Sequence, residues 1–298
     1  MRRPRPPRAR RGRRLPAKAA SHPAGAPLLL FVCALPVLLA ACGGGGGSAS
    51  ASSSGDSASS GSASSGRQLV IFVYDRSGSI PDYKLELARQ LTDQRISEMH
   101  HDDRIAAMEV LQLSLAEPPK RWSQPVPAAE FPGRRTERDS LTLVRFLKDA
   151  QDYLRAFSDT ADRRRIAGTD ILSTLHDVGS EIHGWPGMHP VVYLFSDMMQ
   201  ANREVNMETG RIPGAEWVKR QAREGTLPDL GGACIMVVGA RVDTDESQRV
   251  KDFWDAYFQA TNAVLLDRNY ALRPVRLPER PCAGPGTGAA AGAAGGGG

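Results

Sequence analysis

The sequence predicts a three-layer α/β domain: a doubly wound, mostly parallel sheet with helices on both faces. Three observations predict it. Leu69–Tyr74, Val191–Phe195 and Cys234–Val238 are wholly apolar runs of five or six residues, the signature of strands buried on both faces. Segments of helical length and amphipathic pattern separate them. The first two runs end directly at Asp75 and at Ser196-Asp197, where an open parallel sheet carries its ligands.

The elements follow in chain order. After Leu69–Tyr74, residues 82–100 read as a helix with Tyr83, Leu85, Leu87, Leu91, Ile96 and Met99 among its apolar positions. Ile105–Leu115 reads as a second strand. Residues 116–138 carry Pro118, Pro119, Pro125, Pro127 and Pro132 and read as an insertion, with a short edge strand near Trp122. Helices are expected over 139–157 and 170–182. Beyond the strand Val191–Phe195, a helix is expected over 214–224, then the strand Cys234–Val238, a helix over 246–260 and a closing strand Ala263–Leu266.

Charge is distributed in a way that excludes nucleic acid as a partner. The chain of 298 residues has a formal net charge of +5, but residues 1–20 hold eight Arg and one Lys, and no acidic residue precedes Cys42. Without those nine charges the remainder stands at −4, and no basic field is left to hold phosphates. The basic start precedes an apolar stretch from Pro27 to Ala41, the length of a secretory core and short for a span. It ends in Leu39-Ala40-Ala41-Cys42, which resembles a bacterial lipobox. The resemblance implies cleavage before Cys42 and lipid on its thiol, and so a membrane partner. Gly43 resembles the sorting pattern for the outer membrane, on its periplasmic side if the host is Gram-negative. Residues 43–66, all Gly, Ser and Ala but for one Asp, make a tether of roughly 25–30 Å root-mean-square reach. The expected organisation is a signal peptide over 1–41, the lipidated Cys and tether over 42–66, one domain over 67–281, and a low-complexity tail over 282–298. Cys234 and Cys282 either pair, as an extracytoplasmic location allows, or stay free as one buried and one loop thiol.

The polar residues at the strand ends form a pattern. Asp75-Arg76-Ser77-Gly78-Ser79 follows the first apolar run, Gly168-Thr169-Asp170 precedes a predicted helix, and Asp197 follows a later run. Asp75, Ser77, Ser79, Thr169 and Asp197 resemble the metal-ion-dependent adhesion site of the von Willebrand factor type A domain. The likeness covers about residues 67–270. It implies Mg²⁺ or Mn²⁺ held by the hydroxyls of Ser77, Ser79 and Thr169, with Asp75 and Asp197 acting directly or through water. Two carboxylates against three neutral hydroxyls leave such an ion under-neutralised, and an acidic group on a protein partner suits the remaining place. That chemistry is binding, not turnover. The 94-residue spacing from Asp75 to Thr169 is long for the family; Thr160 is the local competitor, without the preceding Gly.

Other readings are weighed on the same residues. Asp75, Ser77 and Ser79 alone would serve as a helix-capping turn. A haloacid-dehalogenase-like phosphatase needs a second Asp two residues on, where Ser77 stands. A structural subunit of an envelope complex, its metal site without function, is the alternative from another class. His100-His101-Asp102-Asp103 ends a helix and reads as a solvated turn, and Asp170 as a first-turn residue facing the helix dipole. Arg163-Arg164-Arg165 either attracts an acidic partner or is a solvated loop.

Overall fold

The computed structural model describes residues 66–77, 80–110, 120–131, 134, 136–158 and 168–282. The signal peptide, Cys42, the tether to residue 65, Gly78, Ser79, Thr160, Arg163–Arg165 and the tail from residue 283 lie outside them. The described elements are strands β1 (Gln68–Tyr74), β2 (Arg104–Glu109), β3 (Arg121–Pro125), β4 (His189–Phe195), β5 (Cys234–Val238) and β6 (Val264–Ala271), with helices α1 (Asp82–Ser97), α2 (Glu137–Phe157), α3 (Ile171–His183), α4 (Ala215–Glu224) and α5 (Asp245–Ala260). A 3-10 turn, Met207–Thr209, adds to these.

The strands form one sheet in the order β3-β2-β1-β4-β5-β6. All neighbours are parallel except β3, which runs antiparallel to β2 at one edge. The order reverses between β1 and β4. Alternate residues of β1 feed two separate cores: Leu69, Ile71 and Val73 pack with α3, α4 and α5, while Val70, Phe72 and Tyr74 pack with α1 and α2. A strand that supplies both cores has no polar face, hence its unbroken apolar run.

Boundaries differ from the sequence reading where side chains intervene. Helix α1 stops at Ser97 rather than 100, because the buried Asp103 carboxylate accepts from the backbone N–H of His100 (2.9 Å) and of Gln68 (2.8 Å). That contact makes the His100–Asp103 segment the α1–β2 turn. Strand β2 ends at Glu109 rather than Leu115: the last pair of its ladder with β3 is Met108 and Arg121, and the Glu109 carboxylate takes the Lys120 N–H at 3.1 Å. The stretch 116–138 contains the edge strand β3, whose Trp122 stacks on Tyr153 of α2 at 5.0 Å. Helix α2 starts two residues early on a capping box in which Thr136 and Asp139 bond each other's backbone N–H. Strand β6 continues past Leu266 through Asp267-Arg268-Asn269 to Ala271. An edge strand tolerates these polar residues, since Asp267 reaches Lys251 of α5 and Arg268 the Pro281 carbonyl.

Beyond β6 the chain buries Leu277 completely, accepts the Tyr193 hydroxyl at the Pro278 carbonyl (2.6 Å), and at Cys282 forms a disulfide with Cys234 of β5. Among the described residues, no helix is long and apolar enough to cross a membrane.

Candidate functional site

Asp75 leaves the carboxyl end of β1 and extends its pairing with β4, its N–H bonding the Phe195 carbonyl at 2.9 Å. The side chain is 1% exposed. One carboxylate oxygen accepts from the Ser77 N–H at 2.9 Å, the other from the Ser196 hydroxyl at 2.7 Å. Burial, and after it the nearby charge of Asp197, push the Asp75 carboxyl up to about 6. Asp197 follows β4, half-buried, with one carboxylate oxygen on the Met199 N–H at 3.1 Å. Adjacent parallel strands thus deliver two carboxylates to one end of the sheet.

Ser77 is buried beside Asp75. Thr169 enters from the other side. Gly168 before it adopts φ +91°, a left-handed conformation that favours glycine. The chain is then fastened to the loop after β4 by two backbone bonds, Thr169 N–H to Ala201 O (3.1 Å) and Ala201 N–H to Thr169 O (2.7 Å). Thr169 is 2% exposed and stands just before Asp170, the residue that precedes α3. Ser79 lies outside the described residues, so four of the five candidate positions can be placed. Asp75, Ser77 and Asp197 share the ends of β1 and β4, and Thr169 is tied to the chain four residues beyond Asp197.

Neighbouring residues have other duties. Asp170 is the N-cap of α3, accepting from the Ser173 N–H and hydroxyl and from the side-chain amides of Gln200 and Asn202. Arg76 turns to Glu109 at the end of β2 and forms an ion pair there. Gly239, at φ +108°, lets β5 end against β4, since an added Cβ would stand 3.0 Å from the Ser196 carbonyl oxygen.

Three contributors have no role assigned by the sequence, which names Ser196 only as a strand-end residue. Ser196 precedes the candidate Asp and carries no motif, yet its hydroxyl bridges the Asp75 carboxylate and the Met198 N–H (2.9 Å). Met198 sits at φ +65°, strained for a side chain of its size, and its carbonyl accepts the indole N–H of the buried Trp254 at 2.9 Å. Gln200 is fully buried and bonds the start of α3. The one available signal was proximity to Asp197.

The donor set is compatible with a hard divalent cation: carboxylate and hydroxyl oxygens, no soft ligand. Among the described residues no group of three or more His, Cys, Asp or Glu side chains is placed to hold a metal, so a cation here would draw on the hydroxyls.

No family model matches the chain, and no curated protein does. Among solved structures, a von Willebrand factor type A protein from Catenulispora acidiphila is similar at 12% identity and a TM-score of 0.29, over 66% of this chain. This chain spans 43% of that protein's length. A likeness so slight decides nothing about the site. The α/β architecture rests on the six-stranded sheet itself.

Proposed function

We propose that the chain is a lipid-anchored, extracytoplasmic binding module of the von Willebrand A type. In this reading Asp75, Ser77, Ser79, Thr169 and Asp197 hold Mg²⁺ or Mn²⁺ and leave a place for an acidic group of a protein partner. The observation that carries it is Asp75: a buried carboxylate at the end of β1, with a second carboxylate, Asp197, two residues beyond the end of the adjacent strand β4. Two such groups repel, and a bound divalent ion relieves both the repulsion and the burial cost. The ion would supply the attraction for the partner's carboxylate; the residues of the chain would orient it.

Binding is favoured over phosphoryl transfer because Ser77 occupies the position that phosphatase chemistry gives to a second Asp. The disulfide between Cys234 and Cys282 supports an oxidising, extracytoplasmic location. With lipid on Cys42 the domain would search near a membrane surface at the reach of its tether.

Calorimetric titration tests the metal reading. The full chain is expected to bind Mg²⁺ and Mn²⁺, and Asp75→Ala to bind neither while keeping its far-ultraviolet spectrum. Equal binding by both chains refutes it. Mass spectrometry of the mature protein tests the anchor: an N-terminus other than a lipid-bearing Cys42 rules it out.

A further inference from the structure

We propose that Gln200 is a positioning residue that holds Thr169 in place for the candidate cation site before any cation binds. The proposal rests on the adhesion-site reading above and adds to it a residue that touches no ligand. Gln200 is 0% exposed. Its amide oxygen accepts from the backbone N–H groups of Ile171 (2.7 Å) and Leu172 (3.1 Å), and its amide nitrogen donates to Asp170 Oδ1 at 3.0 Å. The first N–H groups of a helix have no partner within the helix. Here one buried side chain from the loop after β4 takes two of them.

The consequence is geometric. Thr169 stands between two attachments to the same loop, with its own backbone paired to Ala201 on one side and residues 170–172 bonded to Gln200 on the other. Gln200 in turn is fixed by its backbone, its N–H on the Met198 carbonyl (3.1 Å) and its carbonyl on the Met207 N–H (2.8 Å). Asn202 adds a fourth side-chain bond from this loop, Nδ2 to Asp170 Oδ1 at 3.0 Å. Asp197 lies three residues before Gln200 on this loop. The Thr169 arm and the Asp197 arm therefore form one cross-linked piece. Every one of these bonds is between protein groups. An ion site whose ligands are already in register binds more tightly than one that must order them, and removing such a support lowers metal affinity by about 10–100-fold in general.

The test uses the full chain, metal-free and with Mg²⁺, as wild type, Gln200→Met and Val178→Ala. Val178 is buried in α3 and remote from these bonds, so its variant is the control for lost stability alone. Hydrogen exchange is expected to be slow at Ile171 and Leu172 in the metal-free wild type, with Mg²⁺ leaving it unchanged, and fast at both in Gln200→Met. Calorimetry is expected to show Mg²⁺ affinity about tenfold lower in Gln200→Met and unaltered in Val178→Ala. Fast exchange at these amides in the metal-free wild type overturns the pre-assembled clamp. Unchanged affinity in Gln200→Met, or an equal loss in Val178→Ala, overturns the positioning role alone. A wild type that takes up no Mg²⁺ despite slow exchange overturns the adhesion-site reading and the positioning role with it.

Discussion

Replacing Asp75 by Asn is expected to stabilise the metal-free chain at neutral pH while abolishing its response to Mg²⁺. The magnitude follows from burial. The carboxyl rises from 3.8 to about 6, burial acting first and Asp197 second. At about 1.4 kcal/mol per pH unit this is worth about 3 kcal/mol. The sign is that of a raised acid. The folded chain binds the proton more tightly than the unfolded chain, so stability falls as pH rises from 3.8 to about 6 and stays lower above that range. Asn avoids the ionisation, can still accept the Ser77 N–H, and faces the Ser196 hydroxyl with an amide. Urea unfolding in chelator, for both chains, is expected to give equal stability near about pH 4 and an advantage of up to about 3 kcal/mol for the variant above about pH 7. Mg²⁺ at a hundred times the dissociation constant nearly closes the gap, since the wild type gains about 2.7 kcal/mol and the variant nothing, and at a thousand times, where the gain is about 4.1 kcal/mol, it reverses the order. A gap that does not change with pH, or a wild type more stable than Asp75→Asn in chelator at neutral pH, refutes the reasoning.

Mg²⁺ is expected to raise the melting temperature of the wild type, and Ca²⁺ to raise it less because it prefers longer oxygen distances and more ligands; a larger shift with Ca²⁺ contradicts the proposed donor set. Arg76→Ala should keep wild-type Mg²⁺ affinity and lose about 1–3 kcal/mol with its half-buried Glu109 contact, and affinity reduced as far as in Ser77→Ala would make Arg76 part of the site. Reducing the Cys234–Cys282 bond, which spans 48 residues, is expected to cost about 4 kcal/mol, read as a lower urea midpoint. A midpoint that does not move shows that the chain from Leu272 to Cys282 holds by its own contacts.

Much of the fold was legible because its strands are buried on both faces. Leu69–Tyr74, Val191–Phe195 and Cys234–Val238 declare themselves by the absence of polar residues, and each lies within a strand of the structure. The ends of β1 and β4 then gave Asp75 and Asp197 as neighbours, by the rule that ligands gather where strand order reverses. Edge strands were less legible, for the opposite reason. β6 turns polar after Leu266 because Asp267 and Arg268 meet solvent and Lys251 while the buried Asn269 amide bonds the Ile235 carbonyl, and its pattern stops reading as strand there. Helix ends depended on single side chains, Asp103 for α1 and Thr136 for α2, whose partners no local pattern names. Ser196, Gln200 and Trp254 were silent because a hydrogen bond between residues 56 apart, such as that from Trp254 to Met198, leaves no periodic trace.

These silent residues explain why the candidate site can be rigid on a loop. The segment from Ser196 to Ala201 has no regular structure, yet each of its residues is bonded to something. Ser196 donates to Asp75, Asp197 accepts from Met199, Met198 accepts from Trp254, Gln200 bonds α3 and Ala201 pairs with Thr169. The left-handed Met198 costs about 1–2 kcal/mol. Three hydrogen bonds anchor that residue, one at its N–H and two at its carbonyl, each contributing about 1 kcal/mol. The strained turn is thus offset by its own contacts, and those contacts run outward to β1, α3 and α5. The core aromatic Trp254 belongs to the candidate site as much as to the core, because its indole N–H fixes the residue that follows the candidate ligand.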